Sequence, residues 1–253
     1  MRILHLSDFH LSNDPVEVLY GVNSYARLSF ALEAVRTLRP QPDLIVVGGD
    51  VFHDGEKGDY GILQEICSAL ARPVHLVMGN HDRLEAYKRT ARPAPAADFP
   101  GYCSFDVEGY HVVLLYSSGT GAGYGELDEA QLRWLEEDLA RSHPLPALVF
   151  MHHPPVTVGV PWLDRINLLN GDDFWGVVER YKERLCGVFV SHVHLQMCCF
   201  CHGVLVASCP SISWQFSANA DAAKTERSGE WPGFNVIDLA EGRVCVRTVR
   251  FEV

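Results

Sequence analysis

The sequence predicts an α/β domain, on three observations. Five short apolar runs each lead straight into an imidazole, carboxylate or carboxamide; segments of helical period separate the early runs; and the last third is rich in strand patterns. A short apolar run closed by a turn signal reads as a buried strand entering a loop. In α/β sheets ligands gather at the carboxyl ends of strands, so five such ends can converge on one site.

Taken in order, the first strand runs from Arg2 to Ser7 and opens into Asp8-Phe9-His10. After a polar loop, Leu28, Leu32, Val35 and Leu38 recur at helical spacing from Ser24 until Pro40, which marks a crossover helix. The strand Asp43 to Gly49 delivers Asp50, and a helix through Ile62, Leu63, Ile66 and Leu70 follows an exposed loop. Pro73 to Met78 leads into Gly79-Asn80-His81-Asp82, then a short helix to Thr90 and a proline-rich surface loop, Arg92 to Pro100. Two β-like runs, Tyr102 to Val107 and His111 to Tyr116, flank the turn Glu108-Gly109. The glycine-rich stretch Ser117 to Gly125 is placed to pass near the site, although it lacks the lysine of a P-loop. Asp128 can cap a helix carrying Leu132, Leu135 and Leu139. Ala147 to Met151 leads into His152-His153, a helix covers Asp173 to Glu183, and Gly187 to Ser191 leads into His192-Val193-His194. Strand patterns at Gln196 to Cys201, Val204 to Ser208, Phe234 to Leu239 and Val244 to Phe251 complete the chain, read as one domain over residues 1–253.

Composition narrows the function. Hydrophobic residues make up 47% and charged residues 21%, ordinary globular usage that argues against disorder. A net charge of −11 disfavours non-specific contact with nucleic acid or an anionic membrane, so an anionic substrate needs a local positive centre. No apolar run approaches the ~20 residues of a membrane span, and a strand pattern starting at Arg2 leaves no room for a signal peptide. The expectation is a cytoplasmic protein whose eight cysteines are reduced and mainly buried. Cys198-Cys199-Phe200-Cys201-His202 matches the C-x-x-C-H pattern of haem attachment. With no export signal and a hairpin-like context, thiols on a strand pair are the better reading.

The chemistry lies in Asp8-x-His10, Asp50, Gly79-Asn80-His81-Asp82, His152 and His192-x-His194. These are nitrogen and oxygen donors suited to first-row divalent metals. In that order, and each at a strand end, they resemble the calcineurin-like metallophosphoesterase family. The resemblance covers nearly the whole chain and implies a four-layer αββα sandwich, two mixed β-sheets flanked by helices. It also implies that Asp8, His10, Asp50 and His194 hold one divalent ion and Asp50, Asn80, His152 and His192 the other, with Asp50 bridging. One carboxylate can offer an oxygen to each of two cations ~3.5–4 Å apart. Side chains two apart on a strand share a face, which lets His192 and His194 both reach the ions.

On this reading a metal-bridging hydroxide attacks a phosphodiester held by both ions. Asp50 and Asn80 assemble the site, and Asn80, His81 and His194 face the substrate. His81 protonates the leaving oxygen or stabilises its charge. Asp82 either orients His81 or caps the next helix, and His153 packs behind the ligands. His5, His75 and His111 carry no assigned role, and neither does His53, although its loop lies near Asp50 and within reach of the site. A glycine usually precedes His-x-His in the family; here Ser191 stands there, adding a Cβ where the backbone could need an unusual φ.

Several looser matches point to class III cyclic-AMP phosphodiesterases. They are Leu19-Tyr20-Gly21-Val22-Asn23, Gly125-Glu126-Leu127 with Gln131-Leu132-Arg133-Trp134-Leu135, Trp162-Leu163-Asp164, Ser211-Ile212-Ser213-Trp214-Gln215-Phe216 and Pro232-Gly233-Phe234. The resemblance then implies hydrolysis of cyclic AMP to 5′-AMP, with glycerophosphodiesters as the alternative substrate class and a non-catalytic metal-binding module as the contrasting role. Histidine and carboxylate ligands accept iron, manganese and zinc alike. The expected partner is a small phosphodiester rather than nucleic acid or membrane, in a chain that could form a homodimer.

Overall fold

The computed structural model describes residues 1–118, 123–219, 225–240 and 242–253. β1 (Arg2–Leu6), α1 (Ser24–Thr37), β2 (Leu44–Val47), α2 (Ile62–Leu70) and β3 (Val74–Leu76) form the opening crossovers, followed by α3 (Leu84–Thr90). A hairpin of β4 (Cys103–Val107) and β5 (Tyr110–Leu114) precedes α4 (Glu129–Arg141) and β6 (Ala147–Phe150). Next come the one-turn α5 (Pro161–Asp164), α6 (Gly171–Val178) with a 3₁₀ extension to Arg184, and β7 (Leu185–Val190). The chain ends in two strand pairs, β8 (Cys198–Cys201) with β9 (Val204–Ser208) and β10 (Gly233–Ala240) with β11 (Arg243–Arg250). One sheet has the order β11-β10-β1-β2-β3, the other β4-β5-β6-β7-β9-β8. Both are mixed: the first is antiparallel through β11-β10-β1 and parallel through β1-β2-β3, and the second is parallel from β5 to β9 with β4 and β8 antiparallel at its margins.

Alternation along the strands builds four layers. Leu4, Leu6, Ile45 and Val47 pack with Leu28, Ala31, Val35 and Ile66 on the helical side. Their neighbours Ile3, Leu44 and Val46 meet Leu148, Phe150 and Phe189 of the second sheet. On that sheet's far face Val149, Val188 and Val190 pack with Leu135, Leu139, Phe174 and Val178. Each such buried side chain contributes roughly 1.5–3 kcal/mol of transfer free energy. The predicted αββα architecture is therefore present, and it brings the carboxyl ends of β1, β2, β3, β6 and β7 together. Asp128 caps α4 as predicted, accepting from the Gln131 amide. No helix among the described residues is long and apolar enough to cross a membrane.

Two expectations need correction. All eight cysteines are free, but only Cys209 is fully buried; five are half-buried, while Cys198 and Cys245 are exposed. The reason is edge position, because β8 and β11 are outermost strands. Cys199 and Cys201 turn toward the second sheet's core while Phe200 faces out, so the strand pair holds these thiols and the haem pattern is incidental.

His111, left without a role above, is a buried ionic hub. Its Nδ1 lies 2.6 Å from Asp106 Oδ1 and its Nε2 2.7 Å from Asp138 Oδ2, two acceptors that require both ring nitrogens to carry protons. Burial disfavours that charge, but the bonds to Asp138 and Asp106 outweigh it and raise the pKa. A folded-state pKa above the unfolded ~6.5 means the stabilisation is complete below that pH and is lost as pH rises through the folded value. The stability advantage of wild type over His111→Gln is expected to be about 1.5–3 kcal/mol near pH 6 and to shrink above neutrality. Denaturant midpoints at pH 6 and 9 check this, and a pH-independent difference would refute it.

Candidate metal centre

The predicted site residues stand on loops just beyond the five strand ends. Asp8 and His10 follow β1, Asp50 follows β2, Asn80 and His81 follow β3, His152 follows β6, and His192 and His194 follow β7. Asp8, His10, Asp50, His192 and His194 all have positive φ, at 54, 45, 53, 70 and 47°. Non-glycine residues adopt this region rarely, at a cost of about 1–3 kcal/mol each, and such strain clusters at functional sites. Strand alternation therefore does not aim His192 and His194. β7 ends at Val190, and a tight turn in which the Val193 amide donates to Ser191 O (2.7 Å) swings both imidazoles inward.

Seven side chains meet there. His10 Nε2 is 3.1 Å from His194 Nε2 and 3.6 Å from Asp50 Oδ2, and His194 Nε2 is 3.3 Å from Asp8 Oδ1. On the other side His152 Nε2 is 3.4 Å from Asp50 Oδ2 and 3.2 Å from Asn80 Oδ1. His192 packs against His152 with ring centroids 5.1 Å apart. Asp50 Oδ2 thus faces a histidine from each half. Its Oδ1 accepts the His81 amide (2.8 Å), which leaves Oδ2 as the oxygen turned to the centre.

Backbone carbonyls set the tautomers. His152 Nδ1 donates to Gly48 O (2.7 Å) and His194 Nδ1 to Trp214 O (2.8 Å), which turns each Nε2 toward the centre. Asp8 Oδ1 and Oδ2 and His192 Nε2 are buried with no hydrogen-bond partner among the described residues. Lone pairs converging in a buried space repel one another unless a cation lies between them, and the donor set suits a divalent metal. Asp8–His10–His194 and Asp8–Asp50–His152 are groups close enough to share an ion.

The electrostatics agree. Burial, with His152 alongside, pushes His192 down to about 3. Burial would raise the Asp8 carboxyl, but His194 and His152 hold it near 2. His152 is opposed by burial yet raised to about 9 by Asp50, Asp8 and the Gly48 carbonyl. To serve as a metal ligand its Nε2 would have to be deprotonated.

Asp82 has a role that the sequence did not signal. Its carboxylate accepts from the amides of Asp50 (2.8 Å), Val51 (3.0 Å) and Gly79 (2.9 Å) and from Tyr60 Oη (2.9 Å). Burial and the nearby Asp50 push its pKa up to about 6, while these donors favour the ionised form. Asp82 ties the β2 and β3 loops together, whereas the N-cap of α3 is Arg83, which makes no side-chain capping bond. His81 is oriented instead by its Nδ1, which donates to the His53 carbonyl (2.8 Å).

Ser191 does not need an unusual backbone, since its φ lies outside the positive region. Space for it comes from across the sheets, where a Cβ on Gly48 would collide with Ser191 Oγ and approach His5 Nε2 to 2.7 Å. Ser191→Gly is accordingly expected to change metal content less than about twofold and to cost about 0.5–1 kcal/mol in stability. Metal analysis and thermal melts test both; a large gain in metal would show that serine strains the site.

His153 is buried behind His192, with ring centroids 4.4 Å apart, and its Nδ1 lies 2.8 Å from Ser117 Oγ. The glycine-rich stretch does approach: Gly125 lies so close that a Cβ there would strike the His153 ring. Residues 119–122 of that stretch lie outside the described residues. In front of the centre opens a cavity of about 530 Å³ walled by Tyr20, His53, Trp162, Trp214, Phe216 and Arg227. Trp214 stacks on His10 (4.8 Å, 23°) and Phe216 on His194 (4.5 Å, 21°). Tyr20, Trp162, Trp214 and Phe216 stand in the stretches that resemble cyclic-AMP phosphodiesterases, but their place on the wall was not legible, since the contacts of Trp214 with His10 and of Arg227 with Tyr20 join segments about 200 residues apart. For His53 the only signal was its nearness to Asp50.

The fold and the buried His/Asp cluster are those of a metallophosphoesterase. The chain belongs to the calcineurin-like phosphoesterase family, whose model matches residues 1–196. It is 30% identical over 254 residues to the 3′,5′-cyclic adenosine monophosphate phosphodiesterase CpdA of Escherichia coli K12, covering 99% of this chain and 90% of that protein. To a 3′,5′-cyclic-nucleotide phosphodiesterase of Nostoc sp. it is 28% identical, covering 94% and 88%. A probable glycerophosphodiester phosphodiesterase GpdQ of Arcobacter nitrofigilis is 29% identical, covering 85% and 80%. Among solved structures a dimetal phosphatase from Danio rerio shares the fold, with a TM-score of 0.65 at 15% identity over 99% of both chains.

Proposed function

We propose that the protein hydrolyses 3′,5′-cyclic nucleotides, cyclic AMP to 5′-AMP first among them, using two divalent cations. The observation that carries this reading is the juxtaposition of converging lone pairs with a cavity walled by Tyr20, Trp162, Trp214 and Phe216. A nucleoside can cover those aromatic surfaces, whereas a glycerol ester leaves them bare. Relatives named for cyclic-nucleotide hydrolysis support the same substrate.

Asp8, His10, Asp50 and His194 would hold one ion, and Asp50, Asn80, His152 and His192 the other. Bound there, the ions supply Lewis-acid charge to the phosphoryl group and lower the pKa of water toward neutrality. Iron, manganese and zinc all suit the donors. Asn80 is a neutral ligand, so the centre keeps the positive charge that an anionic diester needs in a chain of net charge −11. Asn80, His81 and His194 face the diester, with Asp82 and His153 supporting from behind. His81 has its Nδ1–H committed to the His53 carbonyl, which leaves Nε2 to serve the departing oxygen. To act as the acid His81 must carry a proton on Nε2 as well: as the new P–O bond to water forms and the P–O3′ bond breaks, O3′ takes that Nε2 proton, and the proton given up by the attacking water restores it.

The second reading, glycerophosphodiester hydrolysis, is favoured by the relative named for it. A manganese-supplemented comparison of kcat/KM on cyclic AMP, glycerophosphocholine and bis(p-nitrophenyl) phosphate decides between them, with Asn80→Ala as the control. Preference for cyclic AMP, lost in the control, is expected. Turnover of only the glycerol ester and the activated ester would overturn the cyclic-nucleotide assignment.

A further inference from the structure

We infer that His53 is a positioning residue that serves the metal centre and His81 by two separable contacts. This rests on the placement of His10 and His81 proposed above. His53 sits in the loop after β2, half-buried, with its ring at the cavity wall.

The first contact is to His10. The Nε2 of His10 faces Asp50 and His194, so its proton resides on Nδ1, and His53 Nδ1 lies 3.5 Å from that nitrogen. The corresponding outer nitrogens of His152 and His194 bond to main-chain carbonyls at 2.7 and 2.8 Å. His10 instead has a side-chain acceptor, one that substitution can remove. Outer partners of this kind fix the orientation and basicity of a metal-binding imidazole.

The second contact is to His81. The two rings stack with centroids 5.0 Å apart at 24°, while His10 meets His81 edge-on at 4.8 Å. The main-chain carbonyl of His53 takes the Nδ1 proton of His81. One loop residue therefore fixes the tautomer of His81 through its backbone and its ring plane through its side chain. Substitution of the side chain leaves the carbonyl in place, so it tests the stacking and the His10 contact alone.

The two contacts ask for different chemistry, so different replacements should restore them. Asparagine keeps an acceptor for His10 but offers no ring to His81; phenylalanine keeps the ring but no acceptor. The experiment measures Mn²⁺ affinity by competition with a chromophoric chelator on chelator-stripped protein, and separately kcat and KM on bis(p-nitrophenyl) phosphate at saturating Mn²⁺. The expected pattern is crossed. His53→Ala binds Mn²⁺ about 10–100-fold more weakly and loses about tenfold in kcat with little change in KM. His53→Asn recovers the affinity and not kcat, and His53→Phe recovers kcat and not the affinity. Affinity and kcat that fall together in all three variants, or that stay at wild-type values in His53→Ala, would overturn the assignment. A His10→Ala control distinguishes the two levels: if it too binds Mn²⁺ normally, the metal centre itself is misplaced.

Discussion

Gly79→Ala is expected to lower the metal content of the purified protein and to reduce kcat/KM by at least ~10²-fold, with most of the fold intact. Gly79 lies at the end of the β3 loop, where the backbone of the β2 loop passes against it. A Cβ there would come within 2.8 Å of Asp50 Cγ and closer still to its Oδ1 and amide nitrogen. Neither partner can yield cheaply. The amides of Asp50 and Gly79 are pinned to the same Asp82 oxygen, at 2.8 and 2.9 Å, and Asp50 Oδ1 holds the His81 amide. The added methyl must displace the one carboxylate whose Oδ2 faces both halves of the centre, so both cations should be affected. Elemental analysis beside a thermal melt is the test. Full metal occupancy at the wild-type rate would mean that the two loops can part without moving Asp50.

That glycine also shows what was legible in the sequence. Asp8, His10, Asp50, Asn80, His152, His192 and His194 could be read because each follows a strand directly, and a parallel sheet delivers its strand ends to one side. The apolar alternation that places Leu4 against helices and Ile3 between sheets was similarly visible. What could not be read depends on conformation or on distant pairing. Left-handed φ at His192 and His194 replaces the expected strand alternation. Asp82 reads in the sequence as orienting His81 or capping the next helix because its partners, Asp50 and Val51, belong to another loop 31–32 residues away. Ser191 looked strained because the complementary gap, at Gly48, is far away in sequence. Trp214 and Phe216 reach the centre from the far end of the chain, and only their contacts with His10 and His194 reveal it. His111 looked ordinary until Asp106 and Asp138 were found on either side of it.

Replacing His81 should separate catalysis from metal binding. The hydrogen bond from His81 to Asp50 comes from the main-chain amide, which any substitution retains, so His81→Ala is expected to keep wild-type metal content. The imidazole touches other groups: its Nδ1 donates to His53 O, and its ring stands against His10 and His53. Its loss should lower kcat on cyclic AMP by roughly 10²–10⁴-fold, the usual contribution of a positioned acid. The size of the effect on a second substrate then identifies the role. A ribose alkoxide leaves badly without a proton, whereas p-nitrophenolate leaves readily as the anion. A general acid predicts a much smaller loss on bis(p-nitrophenyl) phosphate than on cyclic AMP. A group that stabilises charge on the phosphoryl oxygens predicts similar losses on both, because that charge develops whichever group departs. Unchanged turnover of cyclic AMP with both ions bound would remove His81 from the mechanism and shift the search for a proton donor to the other groups on the cavity wall.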